Sequence, residues 1–331
     1  MMTLTNTSES SITRDPQTAG EPLVTVVICV YNAGRFLRPS VESVLAQTHR
    51  NLEVLIIDDG STDGCIETIR DLTDPRIRLL HQENRGKPAA LNRALAELRG
   101  EYFAIHDADD LSHPTRVAEQ VAALRADPSL AGVFCGFELI LGERRVAPTF
   151  APRTPQQCRA DIEALRMPAH DATVMFRTSA VRGLRYEESL ALGEGRDFIL
   201  QVGERFPLAV VGACLYGYRI HDDSITVRND ARREHFDLQV ARRACERRGM
   251  PPPLPGAIPR SRGKRDMLVA HWMNSVANLR GAGRLRDAWR TAWECVRYGR
   301  GRPACWKPLA YAIAPLGLLR WYRGRRDRKP G

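Results

Sequence analysis

From residue 24 onward the chain alternates between two hydrophobic rhythms. VTVVICVY (24–31) is a nearly unbroken apolar and β-branched run, the pattern of a strand buried on both faces of a parallel sheet. RFLRPSVESVLAQT then places Phe36, Leu37, Val41, Val44 and Leu45 at helical spacing. LEVLIID (52–58) predicts a second strand running into DGSTDG, a helix is predicted near 65–72, and a short strand at IRLLHQ (77–82). After NRGKP, the segment AALNRALAELR predicts a helix that Gly100 should end as a left-handed C-terminal residue. EYFAIH (101–106) reads as the next strand. Ser112 is then the expected N-cap, and Pro114 a first-turn proline, of a helix reaching about Ala126. AGVFCGFELI (131–140) returns to β structure. Repeated β-α units imply an α/β domain with a doubly wound, mostly parallel sheet flanked by helices. Ligands of such sheets bind beyond the carboxyl ends of the strands.

Past Val227 the rhythm changes. ARREHFDLQVARRACERR is a basic helix, MPPPLPG a stiff break, and three more helical stretches are predicted up to about Arg323. The expected organisation is a disordered lead at 1–22, an α/β domain at 23–226 and a basic helical region at 227–331. Charge sharpens this division. The 331 residues carry a net +10, but from Val227 there are 25 Lys and Arg against 8 Asp and Glu, leaving 24 against 31 before it. An acidic front and a basic back suggest two different partners.

The lead has no apolar core of a signal peptide, and no stretch reaches the roughly 18–20 apolar residues that span a bilayer. The nearest, PLAYAIAPLGLL (308–319), is broken by Pro315 and Gly317. Eight cysteines without a C-x-x-C pair argue against a zinc or redox site and for a reduced, cytoplasmic setting. The basic region also holds Trp272, Trp289, Trp293, Trp306 and Trp321. Two readings stand: a peripheral surface for anionic lipid on the cytoplasmic membrane face, or aromatic helix packing with a solvated arginine face. No nucleic-acid-binding module is recognisable, so nucleic acid is not an expected partner.

The polar residues fall at the strand exits: Tyr31-Asn32, Asp58-Asp59-Gly60, and Asp107-Ala108-Asp109-Asp110. A D-x-D there suits a divalent cation bridged to a diphosphate, since Mg²⁺ and Mn²⁺ prefer oxygen ligands. It also suits a solvated turn with one capping aspartate. CVYNAGR has a single glycine, so neither a dinucleotide fingerprint nor a phosphate loop is present. A nucleotide would have to be held by side chains and a metal. Tyr31 offers a ring for a base, Asp59 an acceptor for base N–H groups, and Arg85 and Lys87 cations for phosphates. Each has a plainer reading as an edge residue, a turn carboxylate or a solvated charge.

Taken together, VTVVICVYNAGRFLRPSVESVLAQTHRNLEVLIIDDGSTDG and NRGKPAALNRALAELRGEYFAIHDADD resemble a family 2 glycosyltransferase of the GT-A fold, over residues 24–226. The resemblance implies an inverting, metal-dependent enzyme using Mg²⁺ or Mn²⁺. Such an enzyme moves one sugar from a nucleotide-diphosphate sugar, most often a UDP-sugar, to a hydroxyl of a saccharide or lipid-linked saccharide, as in bacterial surface polysaccharide synthesis. It also implies that Tyr31 and Asp59 contact the base, Arg85 or Lys87 the phosphates, Asp107 the ribose and Asp109 the metal. YGYRIHDDSIT (216–226) makes His221 a candidate additional metal ligand.

The family carries an E-D dipeptide before an apolar helix, its aspartate being the catalytic base. Here LGEGRDFILQV puts Asp197 in that place and Arg196 where the glutamate is common, with Glu194 in reserve. Either carboxylate can instead be a helix cap. The Q-x-x-R-W of polymer-extruding synthases has no counterpart, since QQCRA (156–160) lacks the tryptophan and precedes Asp197. A catalytically silent, nucleotide-sugar-binding scaffold on the same fold is the alternative that the Arg196 departure leaves open.

Overall fold

The apolar run after residue 23 lies at the heart of a nine-stranded sheet in the computed structural model, which describes residues 20–146, 152–221, 233–253, 264–281, 283–298, 303–315 and 317. β1 (Val24–Val30) runs parallel to β2 (Leu52–Asp58) on one side and β4 (Tyr102–Ile105) on the other, and β2 runs parallel to β3 (Ile77–His81). Alternate residues of β1 face opposite layers. Val26, Ile28 and Val30 meet Leu37, Val41 and Val44 of α1 (Leu37–Leu45) and Val117, Val121 and Leu124 of α3 (Arg116–Ala126). Val27 on the other face joins Ala90, Leu91 and Ala94 of α2 (Lys87–Ala96). Helices on both faces are why these strands show no polar alternation.

The rest of the sheet is mixed, where mostly parallel pairing was expected. β4 is followed by β8 (Val174–Arg177), antiparallel to it, and β8 by β6 (Gly132–Leu141), again antiparallel. β6 then pairs in parallel with β9 (Leu208–Arg219). The two-residue β5 (Leu111–Ser112) and the three-residue β7 (Arg144–Val146) add antiparallel edges to β9 and β6. The order is β3-β2-β1-β4-β8-β6-β9-β5, so the parallel half ends at β4, where the D-x-D emerges. VMFR is too short for its direction to be read from hydrophobic pattern, and its place beside β4 is set only by packing.

Three local expectations are corrected. The helix predicted at 65–72 is a single 3₁₀ turn, Ile66–Ile69. Gly100 does not adopt the left-handed conformation; α2 ends at Ala96, and a Cβ on Gly100 would lie 2.6 Å from the Thr25 amide nitrogen, so the position serves close approach to β1. Ser112 belongs to β5 rather than capping α3, which Thr115 precedes without a side-chain capping bond.

α4 (Pro155–Glu163) begins with a reciprocal Thr154–Gln157 capping box, and α5 (Glu194–Gly203) follows a left-handed Gly193. The boundary expected near 227 lies outside the described residues. Beyond it, α6 (Arg233–Arg247) places Phe236, Val240 and Ala244 in one buried cluster with Phe198 and Leu200 of α5. α7 (Lys264–Gly281), α8 (Leu285–Tyr298) and α9 (Lys307–Ile313) complete the described chain. Trp272 is packed with Leu139, Ile220 and Cys295, whereas Trp289, Trp293 and Trp306 are exposed. Among the described residues no helix is long and apolar enough to cross a membrane.

Candidate active site

The exits of β1, β2 and β4 open side by side. Tyr31 stands half exposed at the first, and Asn32 behind it is left-handed, its side chain accepting the Thr62 N–H at 2.8 Å to tie the two loops together. Asp59, at the second exit, is buried. It accepts hydrogen bonds from the Gln82 side chain and from the backbone N–H groups of Arg85 and Gly86, at 2.8–2.9 Å. Its carboxylate therefore shapes the loop that launches α2. Arg85 is exposed and pairs with Glu188 at 3.0 Å, while Lys87, the next cation, turns inward.

Lys87 joins the donor side to the head of α5. Its Nζ is 2.8 Å from Asp107 and 3.9 Å from Glu194. Burial opposes its charge, yet the carboxylates of Asp107, Glu194 and Asp171 outweigh that and hold its pKa well above the ordinary value. Burial likewise works to raise Asp107, but the Lys87 ammonium prevails and lowers it. Glu194 goes the other way: burial pushes it up to about 7, Lys87 opposes, and Asp171 and Asp107 add to the rise.

The aspartates after β4 converge. Asp107, Asp109 and Asp110 each offer an oxygen within 4.8 Å of the others, and Asp109 Oδ2 lies 2.7 Å from His221 Nε2. The Arg219 side chain donates to the Asp109 carbonyl, and its backbone N–H to Asp110 Oδ1, both at 2.7 Å, so the end of β9 braces the cluster. Asp110 is wholly buried. Burial, with the charges of Asp109 and Asp107, raises its pKa well above the usual carboxylate range, and its Oδ2 has no hydrogen-bond partner among the described residues. Three carboxylates beside an imidazole, one of them with an orphaned buried oxygen, are a donor set that fits a hard divalent cation.

Asp197 has different neighbours. It is fully buried, with Oδ1 accepting from Arg247 at 2.8 Å and Oδ2 from Gln201 at 3.0 Å and Arg243 at 3.3 Å. Arg196 is also buried and pairs with Asp237 at 2.9 Å. Both residues thus bind α5 to α6. Of the two carboxylates weighed from the sequence, only Glu194 faces Lys87. Residues that the sequence reading did not single out complete the site. Tyr216 accepts the Asp107 backbone N–H at 3.1 Å, and Asp171 lies within electrostatic reach of Lys87 and Glu194. Tyr216 stands in YGYRIH and was legible as part of that motif, but Asp171 comes from a loop with no pattern of its own.

Residues 25–180 match the model of glycosyl transferase family 2. They form a family 2 glycosyltransferase domain. Among relatives, an uncharacterized glycosyltransferase of Rickettsia typhi is 38% identical over 125 residues, covering 38% of this chain and 39% of that protein. Bacillus subtilis EpsE is 35% identical over 169 residues, covering 50% of this chain and 59% of that one. The chain thus spans 39% and 59% of the length of these relatives, less than two thirds of either. Two solved structures share the fold. S. aureus TarS in complex with UDP-GlcNAc superposes with a TM-score of 0.58 at 17% identity, over 67% of this chain and 65% of that one. The mannosyltransferase PcManGT of Pyrobaculum calidifontis in complex with GDP-Man and Mn²⁺ gives 0.55 at 22% identity, over 89% and 86%. The architecture is therefore GT-A, a mixed sheet flanked by helices.

Proposed function

We propose that the protein transfers one sugar, with inversion, from a nucleotide-diphosphate sugar to a hydroxyl of a saccharide or lipid-linked saccharide, a step suited to bacterial surface polysaccharide synthesis. The observation that carries this is the cluster of Asp107, Asp109 and Asp110 with His221 at the exit of β4, joined through Lys87 to the head of α5. Asp109 and His221 would hold Mg²⁺ or Mn²⁺, which supplies Lewis-acid stabilisation of the departing diphosphate. Tyr31 covers the base, and Asp59, which shapes the loop beside it, would accept from base N–H groups. Arg85 and Lys87 serve the phosphates, and Asp107 the ribose. Inversion requires a single in-line displacement, so the acceptor must approach opposite the diphosphate. Its proton passes to a carboxylate of the group around Lys87. Asp197, with both oxygens bonded to arginines, stands outside that group.

UDP-sugars and GDP-sugars are the donors to try first, because the two structural neighbours bind one of each. A second partner is an anionic membrane surface. Arg145, Arg290 and Arg297 line a groove with Trp293 and a single acidic residue, Glu294, and Trp289 and Trp306 are exposed nearby in the chain, a net basic mixture of cation and indole suited to headgroups.

The deciding experiment is a thermal-shift titration with UDP, GDP, dTDP and CMP, each with Mn²⁺, Mg²⁺ or chelator. Stabilisation by one diphosphate only when metal is present supports the reading. Stabilisation without any turnover of the matching sugar nucleotide favours the silent scaffold, and no stabilisation by any of them rejects the donor site.

A further inference from the structure

The loop ahead of β8 brings a carboxylate to the head of α5 that the E-D motif does not include. Asp171 opens the 3₁₀ turn Asp171–Thr173, which Thr173 fastens by donating its hydroxyl to the His170 carbonyl at 2.6 Å. Asp171 Oδ1 accepts the Ala172 N–H at 3.1 Å and lies 3.3 Å from His170 Nδ1. Oδ2 accepts no hydrogen bond from the described residues, and the side chain is 31% exposed. One oxygen is thus held and the other is open.

What lies against that open oxygen is Gly195, the second residue of α5. A Cβ at 195 would stand 2.3 Å from Asp171 Oδ2 and 3.1 Å from its Cβ and Cγ. Gly195 is not left-handed, so the position is used for its missing side chain and not for backbone freedom. With Glu194 rather than Arg196 taken as the glutamate of the E-D pair, Gly195 falls where the aspartate would stand. In that register the carboxylate of Asp171 lies where the missing side chain would begin. Lys87, Asp171, Glu194 and Gly195 together line one gap of about 10 Å³, too small for a sugar and close to the room one water needs. An acceptor therefore meets this group from the solvent side, where Asp171 is more exposed than Glu194, at 31% against 11%.

We propose that Asp171 is the catalytic base of this site, its carboxylate supplied from the loop before β8 across the gap left by Gly195. The assignment rests on the transfer reaction proposed above. The acceptor oxygen forms a bond to C1 of the donor sugar while the bond from C1 to the phosphate oxygen breaks, its electron pair leaving on the diphosphate. The acceptor's proton goes to Asp171 Oδ2. Glu194 is a positioning residue that holds Lys87 from behind.

The test measures nucleoside diphosphate release from a panel of UDP-, GDP- and dTDP-sugars with Mn²⁺, using water or added saccharide as acceptor, alongside calorimetric binding of the nucleoside diphosphate. Asp171→Asn should lower release at least about 100-fold, as loss of a general base does, with binding unchanged. The double variant Asp171→Gly with Gly195→Asp, which returns the carboxylate to the helix, should recover at least about tenfold over Asp171→Gly alone. Release by Asp171→Asn within about threefold of the unaltered chain overturns the assignment, as does a loss matched by an equal loss of nucleotide binding. If the unaltered chain turns over no donor, the transfer reading falls and this assignment with it. If it does turn one over, Asp171→Asn judges the base alone.

Discussion

The two walls of the site are built in opposite ways. On the donor wall, Tyr31, Asp59, Asp107 and Asp109 follow directly on buried strands, so sequence position and spatial position coincide. On the acceptor wall the acidic residues of α5 are sorted by what packs against them. Glu194 turns to Lys87, and Asp197, one turn on, is captured by Arg243 and Arg247 of α6. Two carboxylates in one helical turn therefore have different chemistry, and the choice is made by a helix some forty residues downstream. A motif at a strand end carries its own geometry; a motif on a helix borrows it.

The clearest effect, complete loss of a metal-dependent signal, should separate the walls. Asp109→Ala removes the carboxylate nearest His221, and we expect Mn²⁺-dependent stabilisation by the nucleoside diphosphate to vanish. At a ligand concentration of about 100 Kd, that stabilisation amounts to about 2.7 kcal/mol. Thermal shift with and without chelator reads it directly. A variant that kept the full metal-dependent shift would remove the donor wall from the comparison.

Asp197→Asn should act on folding rather than on chemistry. Removing one partner from a buried ion pair costs about 3–5 kcal/mol, so the urea midpoint should fall sharply. Turnover per folded molecule should stay within about threefold. The family motif makes the reverse forecast, with stability kept and transfer lost; that outcome would return the base to Asp197 and make the two walls alike.

Glu194 gives a smaller, pH-dependent signal. Its folded pKa of about 7 lies above the unfolded value, so the folded state binds the proton more tightly. The stability it contributes is fully present below about pH 4.5 and is lost as pH rises towards 7. Glu194→Gln should remove that decline, leaving the variant on the order of 3 kcal/mol better relative to the parent at pH 8 than at pH 4. Parallel stability curves for the two chains would show that the acceptor wall is not electrostatically strained.

The smallest effect concerns the basic helices. Replacing Trp289, Trp293 and Trp306 by serine should weaken flotation with anionic vesicles by about fivefold per ring, at a smaller cost in stability per ring than loss of a buried one, since these rings are 42–47% exposed and Trp293 and Trp306 touch one another. Trp272→Ala should instead destabilise the fold by about 3–5 kcal/mol, because that ring is buried. Equal vesicle binding by the triple variant at low salt would leave the arginines as a solvated face.

Legibility in the sequence followed the same line. β1, β2 and β4 were readable because strands covered by helices on both faces must be apolar throughout, and the polar break after each marks its exit. The antiparallel half was not readable. VMFR at 174–177 has four residues and no alternation to disclose its direction; it lies beside β4 through antiparallel pairing in which Phe176 also packs on Phe103 at 5.4 Å. Gly100 was recognisable as important but for a different reason, since close approach to a neighbouring strand is a property of pairs of segments. Asp171 had no signal at all, because its meaning depends on the side chain that Gly195 lacks.

What the sequence alone determined is therefore the family, the parallel half of the sheet and the acidic cluster at its edge, all set by residues close together in the chain. The tertiary structure decided which carboxylates face the site and which are bound into the core. Charge and burial act through space, and α6, β9 and the loop before β8 reach the site only when the chain is folded.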